Sequence, residues 1–197
     1  MLAEHIFFSA AIAIMAGMLF FRYTGRDNSW IVILVAFFPD LDKIADPILN
    51  RIGFTLLFEG HTIHHGTFHT VAAMVIIGII IAFLLHPFGI RFFDAFFFTI
   101  IGFGAHLFED ALVYPADYMY LWPFSNEKTG LAWLPMSVNE ESYTSNFFSI
   151  ANTEVFFIGL VFLLLAILVR TRVEGSGWIQ WYMPKKFYRE YFEKDKT

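Results

Sequence analysis

The sequence predicts an all-α integral membrane protein with about five transmembrane helices, the second of them short and broken. Hydrophobic residues make up 57% of the 197 residues and charged residues only 16%, well below the roughly 25% charged residues of soluble domains. The apolar residues form long segments, while most histidines and several carboxylates lie between or at the ends of these segments. With no cysteine in the chain, a metal site would need nitrogen and oxygen ligands.

Four apolar segments approach the roughly 20 residues that a helix needs to cross a bilayer. They are residues 2–22, 69–86, 92–113 and 150–170. The first has no positively charged region ahead of it, so we expect a retained membrane helix and not a signal peptide. A fifth segment, Ser29 to Phe38, is shorter and runs into Pro39. It crosses the membrane only if the helix continues past the proline. Otherwise it is a half-helix whose end must be buried in protein or line a polar cavity.

The remaining segments are more polar. Residues 43–60 predict a short interfacial or re-entrant helix, and residues 114–149 a long polar and aromatic loop. We therefore divide the chain into a transmembrane domain, residues 1–170, and a basic, aromatic cytoplasmic tail, residues 171–197. The composition of the tail suits a segment that lies at the level of the lipid headgroups.

The distribution of basic residues predicts the orientation. If five spans alternate between two sides, one side receives all but Lys43, Arg51 and Lys128 of the 13 lysines and arginines. The positive-inside rule makes that side cytoplasmic. We therefore expect the N-terminus outside and the C-terminus inside a cell (inner) membrane, with every histidine except His86 in the outer half. The net charge of −5 argues against a nucleic-acid partner.

Helix geometry places several of these polar residues at similar depth. At a rise of about 1.5 Å per residue, His5, Asp40, His69, His106 and Asp110 lie roughly 17–27 Å from the cytoplasmic ends of their segments. Four separate segments thus bring histidine or aspartate to one layer in the outer half of the membrane. Such a layer predicts a single polar site facing the extracytoplasmic side.

Two short motifs carry ligand types. His106 and Asp110 are four residues apart and share one helix face, where an imidazole and a carboxylate can bind one cation. The alternative is a histidine at a helix end beside a solvated carboxylate. Asp40 and Asp42 follow Pro39 at the helix break. One of them can cap a helix, or Asp40 can bridge ions or act as general base toward a bound water.

Four of the seven histidines lie within nine residues, from His61 to His69. His65 and His69 have the spacing of one helix face, and so do His61 and His64. The alternative is a hydrogen-bonded interfacial cluster or a pH sensor. Gly66, inside the cluster, permits a close backbone approach or an unusual turn.

These motifs, in this order, resemble the YdjM-type family of inner-membrane metal-dependent hydrolases. The family pattern is an N-terminal His, then PDxD, HRGxTHS, SHxxxD and a Pro-Phe turn. The counterparts here are His5, Pro39-Asp40-Leu41-Asp42, His64 to Thr70, Ala105 to Asp110 and Trp122-Pro123-Phe124. His65 stands where the family has Arg, Phe68 where it has Thr and Ala105 where it has Ser. If the family Arg holds a phosphate, His65 would hold it less firmly or would serve as an extra ligand.

The resemblance implies a set of metal ligands and a chemistry. It selects His64, with His69, in place of His65, and the implied ligands are His5, Asp40, Asp42, His64, His69, His106 and Asp110. Asp40 and His65 are the implied catalytic residues. The family is distantly similar to the zinc-dependent phospholipase C and P1 nuclease group, which implies two or three Zn²⁺ ions that activate water.

The hypothesis from the sequence is therefore a membrane-embedded metal-dependent hydrolase of a phosphoester such as a lipid headgroup. Membrane lipid is the expected partner, and the sequence does not determine the oligomeric state. The alternative from a different class is a non-enzymatic protein that binds or transports metal, with the same ligands. A third is a structural or pH-sensing protein.

Overall fold

A computed structural model describes residues 2–53, 57–58, 61–62, 66–115, 118–134 and 153–183. The fold is mostly helical, which confirms the predicted class. Its helices are α1 (Leu2–Thr24), α2 (Trp30–Val35), α3 (Asp42–Arg51), α4 (Val71–Leu85), α5 (Phe92–Val113) and α6 (Thr153–Glu174). Three 3-10 turns cover Pro39–Leu41, His86–Phe88 and Gly175–Trp181. Two strands of two residues each, β1 (Leu57–Phe58) and β2 (His61–Thr62), pair antiparallel.

Four helices of the described chain are long and apolar enough to cross a membrane. They cover His5–Thr24, Val71–Phe88, Phe92–Val113 and Thr153–Trp181. These four correspond to the four long apolar segments of the sequence, and the fifth segment, predicted to be short and broken, is not among them. The second apolar segment forms a helix of only six residues, α2, because Pro39 has no N–H to continue the hydrogen-bond ladder.

The chain nevertheless keeps a helical course beyond this break. Ala36, Phe38 and Asp42 all have right-handed helical dihedral angles, which lead α2 through the 3-10 turn into α3. The break is buried, since Val35, Ala36, Pro39 and Asp40 are at most 4% exposed. The half-helix with a buried end, one of the two options from the sequence, is the closer description. The short helix expected within residues 43–60 is present as α3.

The long helices form one bundle in which α1 packs against α6 and α5, and α4 packs against α5. Helix α6 runs parallel to α1. Phe7 contacts Phe156 near the start of both helices, and Arg170 donates to the carbonyl of Ile14 further along both. Helix α5 runs antiparallel to α1. The amino ends of α1, α4 and α6 and the carboxyl end of α5 therefore meet at one end of the bundle, called here the site end.

The core lies between α2 and the long helices. Ala13, Ile31, Val32, Ala82 and Phe98 are fully or almost fully buried in a single cluster. Gly102 on α5 allows α2 to approach, because a Cβ atom there would lie 2.6 Å from the carbonyl oxygen of Val32. This close packing holds the broken second segment against α5 and so fixes the position of the residues that follow it.

The opposite end of the bundle is held by a buried ion pair. Arg170 on α6 donates to Asp27 at 2.7 Å and to the carbonyl of Ile14 at 3.2 Å, and both charged side chains are fully buried. Trp178, in the last 3-10 turn, lies 5.2 Å from the Arg170 guanidinium and is 7% exposed. Tyr182 reaches Ser29 through a short hydrogen bond. Burial and the charge of Asp27 raise the pKa of the Tyr182 phenol above its usual range.

This arrangement differs from the expected tail. Helix α6 continues past residue 170 to Glu174, and the turn that follows packs onto the bundle, where Trp178 is 7% exposed. Residues 184–197, which carry most of the expected basic charge of the tail, lie outside the described residues. The division into two domains at residue 170 therefore stays a prediction.

Candidate metal centre

The carboxyl-terminal half of α5 supplies the centre of the site. His106 and Asp110 share one face, as their spacing predicts, with 3.4 Å between His106 Nε2 and Asp110 Oδ2. Both residues are buried, at 0% and 4% exposure. A histidine and a carboxylate so deep in an apolar helix are costly unless they are paired or bind an ion.

The broken second segment fixes the orientation of His106. The ring atom Nδ1 lies 2.6 Å from the carbonyl oxygen of Ala36, just past the end of α2, where helix carbonyls lack an intrahelical partner. Because a carbonyl only accepts, Nδ1 carries the proton and Nε2 keeps a free lone pair. His106 Nε2 is buried and has no hydrogen-bond partner among the described residues. Metal-binding histidines usually donate the N–H of their other ring nitrogen to a carbonyl or carboxylate oxygen, as His106 Nδ1 does here.

His69 enters the site from the segment that precedes α4. Its Nε2 lies 3.1 Å from Asp110 Oδ2 and its Nδ1 lies 3.5 Å from Asp42 Oδ2. Burial of His69 disfavours a charged imidazole, whereas the nearby carboxylates of Asp110 and Asp42 favour one. The carboxylates thus favour a positive charge at this position, which a proton or a bound cation can supply.

Local structure explains why His69 is held so firmly. Its ring stacks on Tyr118 with 4.4 Å between centroids. Gly66, three residues earlier, has a φ of +101°, and a Cβ atom there would lie 2.8 Å from the Tyr118 ring. This confirms the expected close approach at Gly66. The next residue, Thr70, caps α4 by accepting a hydrogen bond from the Ala73 N–H at 3.1 Å.

Asp42 holds the segment that precedes α4 in place through backbone hydrogen bonds. Its Oδ2 accepts hydrogen bonds from the backbone N–H of Gly66 at 2.8 Å and of Phe68 at 3.2 Å. Asp42 therefore ties the start of α3 to the chain leading to His69. Its predicted role as a direct ligand stays a prediction.

His5 completes the group from α1. Its ring stacks on His106 with 3.9 Å between centroids, and its Nε2 lies 3.8 Å from Asp110 Oδ1. The other ring nitrogen, Nδ1, lies 3.1 Å from Glu109 Oε2. Glu109 is 2% exposed, and apart from this ion-pair contact with His5 neither of its carboxylate oxygens has a hydrogen-bond partner among the described residues. A carboxylate behind a histidine is a common second-layer partner in metal sites.

The sequence did not single out Glu109. From the sequence it is one of the acidic residues predicted for the outer half. It lies between His106 and Asp110 in the chain, but its side chain faces α1. Its position one residue before Asp110, on a helix packed against the His5 helix, is the only indication that the sequence offers.

Asp40 faces the same space from the 3-10 turn. Its Oδ1 is 2.8 Å from Lys43 Nζ and 3.9 Å from His69 Nε2. The Lys43 side chain is 22% exposed and places an ammonium group at the edge of the site. Lys43 was not among the residues predicted from the sequence to form the site.

Among the described residues, two groups have ligand atoms that all lie within 4.8 Å of one another. They are His5, Asp40 and His106, and His69, His106 and Asp110. Since Nδ1 of His106 is engaged by Ala36, its single free nitrogen can serve only one ion at a time. Asp110 faces both groups, because its Oδ1 points toward His5 and its Oδ2 toward His69 and His106. The buried nitrogen and oxygen donors fit one divalent cation, or two cations that share Asp110.

The structure thus brings together all predicted ligands that it describes. They are His5, Asp40, Asp42, His69, His106 and Asp110. His64, a predicted ligand, and His65, a predicted catalytic residue, lie outside the described residues, so the choice between them stays open. His86, for which no role was expected, is at the opposite end of α4 and exposed.

No curated protein and no solved structure matches the chain. The YdjM inner membrane protein family matches residues 1–176, a range that includes α1 to α6 and every residue of the site. The chain therefore belongs to the YdjM inner membrane protein family.

Proposed function

We propose that this membrane protein is a metal-dependent hydrolase that cleaves a phosphoester with metal-activated water. The observation that carries the proposal is the environment of Asp110, whose two oxygens face three imidazoles from α1, α5 and the segment before α4 at 3.1–3.8 Å. A carboxylate shared between two ions is typical of centres that stabilise the attacking and leaving oxygens of a phosphoryl group. Zn²⁺ suits imidazole and carboxylate ligands in this number.

The residues around the ions have separate roles in this proposal. His5, His69, His106 and Asp110 bind metal, and Asp40 either binds metal or accepts the proton of the attacking water. The Lys43 ammonium lies within reach of Asp40 and offers a positive charge to a phosphate oxygen. His65 takes the place of the family arginine beside the phosphate. Metal, when bound, lowers the pKa of water and neutralises developing charge.

The proposed location supports a phosphoester that reaches the site at the membrane surface. The site lies at the end of the bundle where α1 and α4 begin, and the charge distribution predicts that this end faces out of the cell. A lipid headgroup is therefore one substrate compatible with it. The distant similarity of the family to phospholipase C and P1 nuclease, which the resemblance implies, would be compatible with the same chemistry.

A metal transporter is the competing function, and the packing below the site argues against it. A transported ion needs a polar path across the membrane. Directly below the site lies the apolar cluster that contains Val32, Val35, Ala82 and Phe98, all 0% exposed. We therefore favour hydrolysis over transport. Uptake of Zn²⁺ into proteoliposomes, at a rate above that of protein-free liposomes, would reverse this order.

The test combines metal content with turnover in the same purified samples. Wild type, Asp110→Ala and His69→Ala are stripped with a chelator and reloaded with Zn²⁺. Metal is measured by mass spectrometry, and hydrolysis is measured on bis-para-nitrophenyl phosphate and on vesicles containing phosphatidylglycerol. His86→Ala is the matched control, because it removes an exposed histidine at the opposite end of α4.

The proposal predicts loss of both bound metal and zinc-dependent turnover in the two site variants, with no change in His86→Ala. Unchanged metal content in both site variants would remove the metal centre from the proposal. Bound metal without turnover on any phosphoester would favour the non-enzymatic alternative.

A further inference from the structure

An apolar groove runs between α1 and α6 with one wall from α5. Its volume is about 590 Å³, and every side chain that lines it is apolar. Ala11, Met15 and Leu19 line one side, and Phe162, Leu165 and Val169 line the other. The groove exists because small residues replace large ones where the two parallel helices face each other, as at Ala11 and Ala166.

The groove begins directly beneath the metal centre. Phe8, at its upper end, is three residues after His5 on α1. Residues 5, 8, 12 and 19 are separated by three, four and seven positions, so they share one face of the helix. His5 is thus on the helix face that lines the groove, and its side chain, at 12%, is the most exposed of the three imidazoles in the centre.

The length of the groove is close to that of one acyl chain of a bilayer lipid. The eleven helical steps from Phe8 to Leu19 correspond to about 16 Å at about 1.5 Å per residue. Half of a hydrocarbon core about 30 Å thick is about 15 Å. A chain that filled the groove would therefore have its polar end at the level of the metal centre.

The shape and lining of the groove favour a hydrocarbon chain as its occupant. The groove has a volume of about 590 Å³ along about 16 Å of helix, so it is long and narrow. A single hydrocarbon chain is narrow enough, and the purely apolar lining offers nothing that would bind a polar occupant.

We propose that this groove is a binding site for one acyl chain of a phospholipid whose phosphate ester lies at the metal centre. This inference rests on the proposed function and names its substrate class as a membrane lipid. It also gives α6 a role in substrate binding, although α6 contributes no member of either ligand group. The groove lets the phosphate approach from within the bilayer, along the face of α1 that carries His5.

The test uses phosphatidylglycerol with a photoactivatable diazirine in the middle of one acyl chain, at low mole fraction in phosphatidylcholine vesicles that hold the full-length protein. After irradiation, adducts are mapped by mass spectrometry. We expect them on groove residues such as Met15 and Leu165, in excess over exposed residues of α4 such as Ile76 and Phe83. An even distribution over both surfaces would overturn the proposal, because it would mean that only surrounding bilayer lipid is sampled.

Substitutions that fill the groove sharpen the test. Ala16 lines the groove and is half-buried. Ala16→Phe is expected to abolish the excess of adducts on groove residues, and the milder Ala16→Leu to reduce it, in samples whose Zn²⁺ content shows that the fold persists. Val161→Phe is the control, because Val161 is 54% exposed on α6 and does not line the groove. Labelling that survives both Ala16 variants would overturn the proposal, and so would its loss in the Val161 variant.

Turnover separates failure of the groove from failure of the proposed function. The same variants are assayed on bis-para-nitrophenyl phosphate and on phosphatidylglycerol, which are both phosphodiesters. The groove proposal predicts that Ala16→Leu loses turnover on the lipid alone. Equal turnover of the soluble ester and the lipid in every variant would overturn the groove while leaving the hydrolase intact. Groove labelling with no turnover on either substrate would keep the lipid site and refute the hydrolase.

Discussion

Replacing Glu109 by Gln tests whether this carboxylate supports the metal centre through His5. The change keeps the size of the side chain and removes its negative charge. Glu109 Oε2 is 3.1 Å from His5 Nδ1 in a position that is 2% exposed, so little water is present to replace the lost interaction. Loss of a carboxylate behind a metal-binding histidine costs about 10–100-fold in metal affinity, which corresponds to about 1.4–2.8 kcal/mol.

Asp110→Asn should have the larger effect in the same measurement. Asp110 faces three imidazoles at 3.1–3.8 Å, so its charge acts on every ion that the centre holds. We expect Glu109→Gln to weaken Zn²⁺ binding without changing the number of ions at saturation. Asp110→Asn, in contrast, should lower the number of bound ions.

The assay is a competition titration of chelator-stripped protein with a zinc-binding dye, combined with metal analysis at saturation. Asp94→Asn is the matched control, because Asp94 is also a buried acid of α5 but pairs with Arg26 at 2.8 Å at the other end of the helix. An affinity of Glu109→Gln equal to that of wild type would show that Glu109 does not support His5. If Asp110→Asn behaves like Asp94→Asn, the centre does not bind metal through Asp110.

Three further predictions concern stability and the support of His69. Arg170→Met leaves the Asp27 carboxylate buried without its charged partner, so it should lower the free energy of unfolding by about 3–5 kcal/mol. The double variant Arg170→Met/Asp27→Leu should recover part of this loss in thermal unfolding, and an equal loss in the single and the double variant would refute the pairing. Gly66→Ala places a methyl group against Tyr118 at a residue whose φ is +101°, so we expect about 1–3 kcal/mol of strain and weaker Zn²⁺ binding in the dye titration. Unchanged Zn²⁺ affinity would show that the turn at Gly66 does not support His69. Thr70→Ala removes the side-chain cap of α4 and should lower the free energy of unfolding by about 1 kcal/mol, whereas Thr70→Ser should lower it less. Equal thermal unfolding curves for the two variants would show that the cap contributes nothing to stability.

The sequence predicted the parts of this molecule that depend on regular spacing. The pairing of His106 with Asp110 follows from four-residue spacing on a helix, and the break of the second segment follows from the missing N–H of Pro39. The common layer of His5, Asp40 and the others follows from counting helical rises. These predictions need only local geometry and the thickness of a bilayer.

The parts that were missed depend on which faces of two helices meet. The contact between Glu109 and His5 requires the rotation of α1 against α5, which the strongly apolar faces of both helices do not determine. Burial of Arg170 was missed because a basic residue at the end of an apolar segment is normally read as a cytoplasmic flank. Its partner, Asp27, lies 143 residues earlier, beyond the reach of any local pattern.

The Arg170–Asp27 pair also has a consequence for how the protein is made. The first loop and the last membrane helix are synthesised far apart in time, and until α6 inserts, Asp27 has no guanidinium beside it. The pair therefore forms only when the whole bundle has assembled, so it acts as a late check on completion. A chain truncated before α6 would lack the guanidinium that pairs with Asp27, and we expect such a fragment to be unstable in the membrane and to be degraded faster than the intact protein.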